Sequence, residues 1–306
     1  MSLRLVCCFV LAFYFSALAC AAAADAPPGY VIPDTEVRDI HSQALGRDYQ
    51  VYVALPASYA AQPQHKYPVL FVTDAPYAFP LIRAISRRVG DHGKGLEDFV
   101  LVGLSYATGD TPEYSRRRDY TPSAHGDADS VSDMPGRKPT YGEGEAYAHF
   151  IEAEVFPVIA ANYRVDMQRK IFAGHSFGGL LGAQILLSKP AMFEQYILSS
   201  PSLWFDSKLM FQRERGYAQA HKDLAANVFF FVGGYEAVDP THKNPRYNET
   251  RDMVKDTLAF EQALKSHHYP SLKMQSKVLE DEDHLSVMPP GITRGLQWAL
   301  AVKKNH

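Results

Sequence analysis

Cysteine is scarce in this sequence, because the 306 residues include only 3, namely Cys7, Cys8 and Cys20. If residues 1–24 are removed as a leader, the remaining chain carries no thiol. This absence excludes a cysteine nucleophile, cysteine metal ligands and disulfide bonds. The domain must then be stabilised by its own hydrophobic core, which a chain of this length can supply.

Long apolar runs are also lacking, except for one at the start of the chain. There the stretch Leu5–Leu18 follows one arginine and precedes Ala22-Ala23-Ala24, which end directly before Asp25. A basic residue, a short apolar core and an A-x-A site are the parts of a secretory signal peptide. We therefore predict a signal peptide at 1–24 and a bacterial periplasmic or secreted protein without stable membrane insertion. An uncleaved anchor and a lipoprotein acylated at Cys20 remain alternatives.

The sequence has no excess of charge of one sign. It contains 31 Lys and Arg against 34 Asp and Glu, which gives a net charge of -3. Nothing in this balance predicts nucleic acid or an anionic membrane as a partner. What the sequence does contain is apolar material: 46% of its residues are hydrophobic, with 17 Phe and 18 Tyr. This composition predicts a folded globular domain.

Hydrophobic patterning predicts strands that alternate with helices. Short apolar or alternating segments predict strands, namely Arg47–Leu55, Tyr67–Thr73, Phe99–Leu104, Lys170–Ala173, Gln195–Leu198, Asn227–Val232 and Lys273–Leu279. Helical spacing predicts helices, namely Glu145–Tyr163, Leu180–Ser188, about Asp252–Lys265 and Thr293–Val302. This order predicts an α/β fold with a mostly parallel central sheet and helices on both faces. We expect one domain over 25–306, with an irregular polar insertion at about 107–140 that serves as a lid or functional loop.

The motif GHSFGG follows a predicted strand and opens a predicted helix, as the nucleophile elbow of α/β hydrolases does. Ser176 would adopt a strained conformation in this turn, and Gly174 and Gly178 would remove side chains that collide with its neighbours. The amide of Phe177, at the start of the helix, could donate to an oxyanion. We therefore predict that Ser176 is a nucleophile, against the alternative of an inert serine in a glycine-rich turn.

A nucleophilic serine needs a base, and in this fold the base follows the last strand. His284 lies in the loop EDEDHLSV after that strand, and we expect the acidic residues there to be solvated rather than to bind a metal. The acid should follow the penultimate strand, where Glu236 comes first, with Asp239, Asp252 and no acid at all as alternatives. The second oxyanion donor should follow the strand Tyr67–Thr73, where Pro76 has no amide hydrogen and leaves Ala75 or Tyr77.

The sequence resembles the putative-esterase family of α/β hydrolases in seven segments, which come in the same order as in the family. They are YPVLFVTDA, RRRDYTP, YRVD, IFAGHSFGGLLG, LSSPSLWFD, FVGGYE and DHLSVMPPGI. The resemblance extends from about Tyr49 to Trp298 and is strongest to esterases of trilactone, enterobactin-type siderophores. It implies that Ser176 is the nucleophile and His284 the base. The family is less uniform in its acid. Carbohydrate esterases place a carboxylate at the position of Glu236, whereas some siderophore esterases have been described as having a Ser–His dyad without an acid.

The resemblance also bears on the substrate site. Asp74-Ala75-Pro76 departs from the usual Asp-Gly of the family, which affects the expected oxyanion loop. Arg116, Arg118 and Trp204 are candidates for binding substrate. The structural alternatives are that Arg118 pairs with Asp119 to anchor its loop, and that Trp204 only covers the core.

The sequence thus predicts a serine carboxylic-ester hydrolase that works through an acyl-enzyme on a small-molecule ester, without metal or organic cofactor. A trilactone siderophore is the first expectation for the substrate. A carbohydrate acetyl or feruloyl ester, acyl transfer to an alcohol, and an inactive binding protein on a hydrolase scaffold are the alternatives.

Overall fold

A computed structural model of the chain describes residues 29–126 and 132–302. The predicted signal peptide at 1–24 and the acylation alternative at Cys20 lie outside these residues. From Pro33 onward the described residues form one compact unit, whereas 29–32 belong to a separate N-terminal unit. No helix in the described ranges is both long and apolar enough to cross a membrane.

One sheet of eight strands forms the centre of the described chain. The strands are β1 (Thr35–Ser42), β2 (Arg47–Ala54), β3 (Tyr67–Val72), β4 (Val100–Ala107), β5 (Val165–His175), β6 (Gln195–Ser199), β7 (Asn227–Gly233) and β8 (Lys273–Leu279). They lie in the order β1-β2-β4-β3-β5-β6-β7-β8. The β1–β2 and β2–β4 pairs are antiparallel, and every later pair in this order is parallel. Tyr67–Val72 is buried at every residue, as a strand covered on both faces must be.

Helices connect the strands and cover the sheet. They are α1 (Ala75–Arg88), α2 (Pro112–Tyr120), α3 (Gly144–Phe150), α4 (Phe156–Asn162), α5 (Phe177–Ser188), α6 (Phe205–Ala220), α7 (Met253–Ser266) and α8 (Met288–Ala299). A single π-helical turn, Ile151–Val155, joins α3 to α4, so the helix predicted over Glu145–Tyr163 is continuous. The last helix begins earlier than predicted, at Met288.

Two apolar cores lie on opposite faces of the sheet. Ile82 of α1 and Leu296 of α8 pack with Phe229 of the sheet on one face. Phe150 of α3 and Phe260 of α7 belong to the larger core on the other face. Because helices cover both faces of a mostly parallel sheet, the predicted α/β-hydrolase fold class is confirmed.

Some elements escaped the sequence patterns. Strand β1 is an exposed edge strand with few buried residues, so its apolar alternation is weak. Helix α1 contains Pro76 in its first turn and Pro80 in its interior, which hides a helix from pattern analysis. The segment 107–140 was predicted to be irregular, but α2 occupies part of it, capped by the Thr111 side chain, which accepts from the amide of Tyr114.

Parallel strands place their carboxyl ends at one edge of the sheet. β3 ends just before Thr73, β5 ends at His175, β7 ends at Gly233 and β8 ends at Leu279. The loops after these four strands carry the predicted oxyanion, nucleophile, acid and base positions. In open α/β sheets this edge is where ligands bind.

Candidate active site

The candidate nucleophile lies at a sharp turn between β5 and α5. Ser176 has φ 59° and ψ −117°, a combination that L-residues rarely adopt. The amide of Ser176 donates to the carbonyl of Ser199 at 2.9 Å, and the carbonyl of Ser176 accepts from Leu180 at 2.9 Å and from Ser202 at 3.2 Å. Hydrogen bonds on both sides therefore hold the strained turn.

Glycines on either side of this serine make the turn sterically possible. A methyl group at Gly174 would lie 2.4 Å from the carbonyl oxygen of Gly178, and one at Gly178 would lie 2.2 Å from Oγ1 of Thr73. Neither approach is tolerated in a packed interior. The glycines let β5, α5 and the end of β3 approach one another closely, so that the serine stands at the edge of the sheet.

His284 lies beside this serine, in the loop after β8. Its Nε2 is 3.0 Å from Oγ of Ser176, the distance at which a base can accept the hydroxyl proton. The loop is fixed by Asp283, whose Oδ1 accepts from the amides of Leu285 and Ser286, each at 3.0 Å. Arg246 donates to the other oxygen of Asp283 at 2.7 Å. The acidic loop therefore positions the imidazole through its own turn geometry.

Glu236 lies behind this histidine and is completely buried. Its Oε2 is 2.6 Å from Nδ1 of His284. Its Oε1 accepts from the hydroxyl of Ser200 at 2.6 Å and from the amide of Gly233 at 2.9 Å. A buried carboxylate with all its neighbours donating can hold the imidazole in one orientation and stabilise the imidazolium that forms when the serine loses its proton.

The other candidate acids point elsewhere. Asp239 accepts from the amide and hydroxyl of Thr241, at 2.9 and 2.7 Å. Asp252 caps α7 by accepting from the amide of Lys255 at 2.9 Å. Of the three carboxylates, the structure brings Glu236 to the histidine. Among the described residues no group of three or more His, Cys, Asp or Glu side chains is arranged to hold a metal ion.

Two backbone amides are candidates for an oxyanion hole, because each begins the helix that follows a strand ending at this edge. Phe177 is the first residue of α5 and Ala75 is the first residue of α1, so both amides lie in helix N-termini that lack intrahelical acceptors. The amide of Tyr77, the alternative donor, is bonded to the carbonyl of Asp74 at 3.0 Å. The geometry therefore favours Ala75 over Tyr77.

Arg116, predicted to bind substrate, reaches under the turn from α2. Its Nε is 2.7 Å from Oδ1 of Asp74, and its guanidinium approaches the carbonyl of His175 at 3.4 Å. Tyr106 also donates to Asp74, at 2.9 Å. Burial by itself would lower the pKa of Arg116, but the Asp74 carboxylate raises it, so the guanidinium stays charged. Arg116 thus links Asp74, which precedes Ala75, to the β5–α5 turn that carries Ser176.

A second imidazole packs against the first. The ring of His175 lies 4.5 Å from that of His284, tilted by 37°, and its Nδ1 is 2.8 Å from Oγ of Ser199. Burial, followed by the charges of His284 and Arg116, places the pKa of His175 well below its usual value. His175 is therefore neutral near pH 7 and adds no positive charge beside His284.

In front of the serine lies a cleft of about 450 Å³, which we call the front cleft. Trp204 forms one wall, and the guanidinium of Arg251 stacks on its ring, 3.6 Å from the centroid. Arg117 of α2 also lines the cleft and is paired with Asp133 at 2.8 Å. The front cleft is thus aromatic and positively charged.

Arg118, also predicted to bind substrate, is buried inside the protein. Only 4% of its surface is exposed, and it donates to Asp110 at 2.7 Å and to Asp119 at 2.8 Å. This is the anchoring arrangement that the sequence left as the alternative. Arg117 and Arg251 are the arginines that line the cleft. The signal for Arg117 was its place in RRRDYTP, whereas nothing in the local sequence marks Arg251.

Comparisons of sequence identify the family of this chain. The profile of the putative-esterase family matches residues 42–271. The ferri-bacillibactin esterase BesA of Bacillus subtilis is 29% identical over 285 residues, which cover 90% of this chain and 93% of that protein. The siderophore enterobactin esterase of Emericella nidulans is 24% identical over 261 residues, covering 75% of this chain and 80% of the relative.

Comparisons of structure point the same way. The crystal structure of the BES protein from Bacillus cereus superposes with a TM-score of 0.72 at 25% identity, covering 91% of this chain and 99% of that one. The siderophore hydrolase EstB from Aspergillus nidulans gives a TM-score of 0.71 at 21% identity, covering 90% and 98%, and shows the shared fold. The chain therefore belongs to the putative-esterase family of α/β hydrolases and is an esterase.

Proposed function

We propose that this esterase cleaves its substrate through a covalent acyl-enzyme on Ser176. His284 takes the hydroxyl proton as Oγ bonds to the ester carbonyl carbon, and the amides of Phe177 and Ala75 stabilise the oxyanion. The carbon–oxygen bond to the alcohol then breaks, and His284 gives its proton to the leaving oxygen. In the second half, water attacks the acyl carbon and His284 accepts a proton from it. His284 then gives this proton to Oγ of Ser176 as the carbon–oxygen bond breaks and the carboxylic acid leaves.

The observation that carries this proposal is the chain of contacts from Glu236 through His284 to Ser176. Its two distances are 2.6 and 3.0 Å. The strained serine and the two helix N-termini beside it supply the other parts that acyl transfer needs. A buried carboxylate in contact with that histidine stabilises the imidazolium that forms during acyl transfer, and an inert serine or a binding protein would not require it.

The experiment is hydrolysis of a short activated ester, together with labelling by a fluorophosphonate probe. We expect Ser176→Ala to lose at least about 10⁴-fold in kcat and to lose the label. Ser188→Ala, which changes an exposed serine at the end of the same helix, serves as the matched control and should keep both. Hydrolysis at the wild-type rate by Ser176→Ala would disprove the mechanism, and unlabelled wild-type protein would favour the binding-protein alternative.

We further propose that the natural substrate is an anionic, aromatic siderophore ester of the trilactone class. Relatives named as siderophore esterases cover most of this chain. The front cleft offers Trp204 for stacking against a catechol ring, and Arg117 and Arg251 for its negative charge. The same guanidinium-on-indole stack would also suit a feruloyl ring, but a neutral sugar ester would gain little from two arginines.

The test compares an iron-loaded catechol trilactone with a neutral phenyl ester. For Arg251→Ala we expect kcat/KM to fall about fivefold more on the trilactone than on the phenyl ester, because an exposed cation stacked on Trp204 is lost. Arg215→Ala, an exposed arginine on α6, is the charge-matched control and should leave the ratio unchanged. Equal losses on both esters would reject the anionic substrate. Hydrolysis of feruloylated sugar alone, or acyl transfer to an added alcohol in place of water, would identify the alternative functions.

The location of the enzyme is a separate proposal. The predicted leader would place the mature protein outside the cytoplasm, starting near Asp25. Intact-mass measurement of the exported protein checks this directly. A species that starts at Met1 would refute cleavage, and a diacylglyceryl mass on Cys20 would indicate a lipid-anchored enzyme.

A further inference from the structure

A second cavity, of about 310 Å³, lies on the other side of the catalytic histidine, and we call it the rear cavity. The front cleft is lined by both Ser176 and His284, whereas the lining of the rear cavity includes His284 without the serine. His175 and Met288 form part of its wall. The two spaces therefore meet at the imidazole that moves the proton.

This arrangement separates the two halves of an ester. The acyl group becomes bonded to Oγ of Ser176, so it must occupy the space that the serine lines, which is the front cleft. The alcohol oxygen must reach Nε2 of His284 to receive its proton. Because His284 lines both spaces, the rear cavity is available to the alcohol half when the acyl group fills the front cleft.

The rear cavity also differs from the front cleft in charge. Its arginine, Arg116, is already paired with Asp74 at 2.7 Å, and Glu113 stands exposed at the rim. With His175 neutral, these groups sum to no net positive charge. The lining of the front cleft instead includes Arg117 and Arg251 and no carboxylate, because Asp133, the partner of Arg117, lies outside that lining. An anionic group would find no attraction in the rear cavity.

Exposed apolar side chains mark the mouth of this cavity. Leu285, immediately after the catalytic histidine, is 87% exposed, and Tyr77 on α1 is 49% exposed. Among the described residues few large hydrophobic side chains are this accessible, and these two line the same space. Scattered exposed side chains are ordinary, but two that converge beside a reactive group indicate a surface that a ligand covers.

We infer that the rear cavity is the alcohol subsite, and that it selects esters whose alcohol half is apolar and uncharged next to the scissile oxygen. The inference deepens the proposed function and rests on Ser176 as the nucleophile. It does not depend on the siderophore. A lactone backbone meets this description, because the anionic rings of a siderophore lie away from the ester oxygen and can remain in the front cleft.

The experiment uses two series of synthetic esters with the full-length enzyme. In one series the acyl group is always acetyl and the alcohol grows from methyl to benzyl to naphthylmethyl; in the other the alcohol is fixed and the acyl group grows. For Leu285→Ser and Tyr77→Ser we expect the preference in kcat/KM for naphthylmethyl acetate over methyl acetate to fall about tenfold. Each variant loses an apolar contact with the alcohol group, and a loss of this kind in a pocket has an effect of that size. The acyl preference should change less than about twofold.

Leu258→Ser on α7 is the matched control, because Leu258 is also exposed, at 39%, and lines neither space. Fluorophosphonate labelling of each variant shows that its site is folded, and the tyrosine variant decides the question if the leucine variant does not fold. A shift in acyl preference with the alcohol preference unchanged would overturn the assignment, as would no shift in either series. Loss of labelling with Ser176→Ala reports separately on the nucleophile, so failure of the subsite is distinguishable from failure of the mechanism.

Discussion

The two edges of the parallel sheet differ, and the edge with the larger cavity is not the one that carries the candidate active site. The larger space, about 1020 Å³, lies at the amino edge, where Gln195, Asn227 and Lys273 begin their strands. The smaller front cleft, about 450 Å³, lies at the carboxyl edge. At the amino edge Ser58 donates to Asp98 at 2.5 Å, and this serine lies in a turn rather than at the start of a helix.

The difference follows from chain direction. Helices that follow parallel strands begin at the carboxyl edge, so their free amides and the positive ends of their dipoles converge there. α1 and α5 both start at this edge, at Ala75 and Phe177. At the amino edge the same helices end, and carbonyl groups cannot stabilise a developing negative charge. The candidate active site therefore lies where helices begin rather than where the cavity is larger.

The largest expected effect at the carboxyl edge, after the serine itself, comes from Glu236→Gln. The amide keeps the shape of the carboxylate but offers a donor where His284 needs an acceptor, so kcat should fall about 10³- to 10⁴-fold. Asp239→Asn and Asp252→Asn, which change the alternative acids, are the controls and should keep kcat within about twofold. A deep loss in either control, with Glu236→Gln active, would reassign the acid.

A smaller effect is expected from Arg116→Ala. Because the guanidinium joins Asp74 to the carbonyl of His175, its loss should loosen both oxyanion amides and lower kcat about 10- to 100-fold with little change in KM. Added guanidinium should restore part of the rate in Arg116→Ala and none in Glu236→Gln. A raised KM with unchanged kcat would instead support the substrate-binding role that the sequence predicted for Arg116.

The smallest effect is expected at the amino edge. Arg169 forms two bonds of 2.6 Å with Glu97 beside the large cavity, but both side chains are about one-third exposed. Arg169→Ala should change the free energy of unfolding by less than about 1 kcal/mol, and kcat/KM by less than about twofold. Chemical denaturation and ester hydrolysis measure the two quantities. A large loss of activity would show that the amino edge also takes part in the reaction.

Much of the fold and of the candidate site could be predicted from short sequence patterns. The glycines around Ser176 are required by close backbone approaches, and such requirements are visible in sequence because no other residue meets them. The strands before Ser176, Glu236 and His284 are continuous or alternating apolar segments, and strand direction then places the following loops at one edge. Fold class, nucleophile and base could therefore be predicted before any coordinates were known.

Other features depended on contacts between distant segments. Glu236 came first among the candidate acids because it lies nearest the end of β7, but only packing shows that it contacts His284 while Asp239 and Asp252 do not. Arg251 reaches Trp204 through a loop without periodicity.

In RRRDYTP three adjacent arginines point in three directions, to Asp74, to the front cleft and to the buried Asp119. Helix rotation of about 100° per residue separates them, but which face is buried is decided by the sheet and helices against which α2 packs. The sequence by itself determined the α/β architecture and singled out Ser176 and His284 as the candidate nucleophile and base, because each has a local steric or hydrophobic cause. Tertiary structure decided the acid, the cationic cleft and the cavity behind His284, because those depend on which distant side chains share one space.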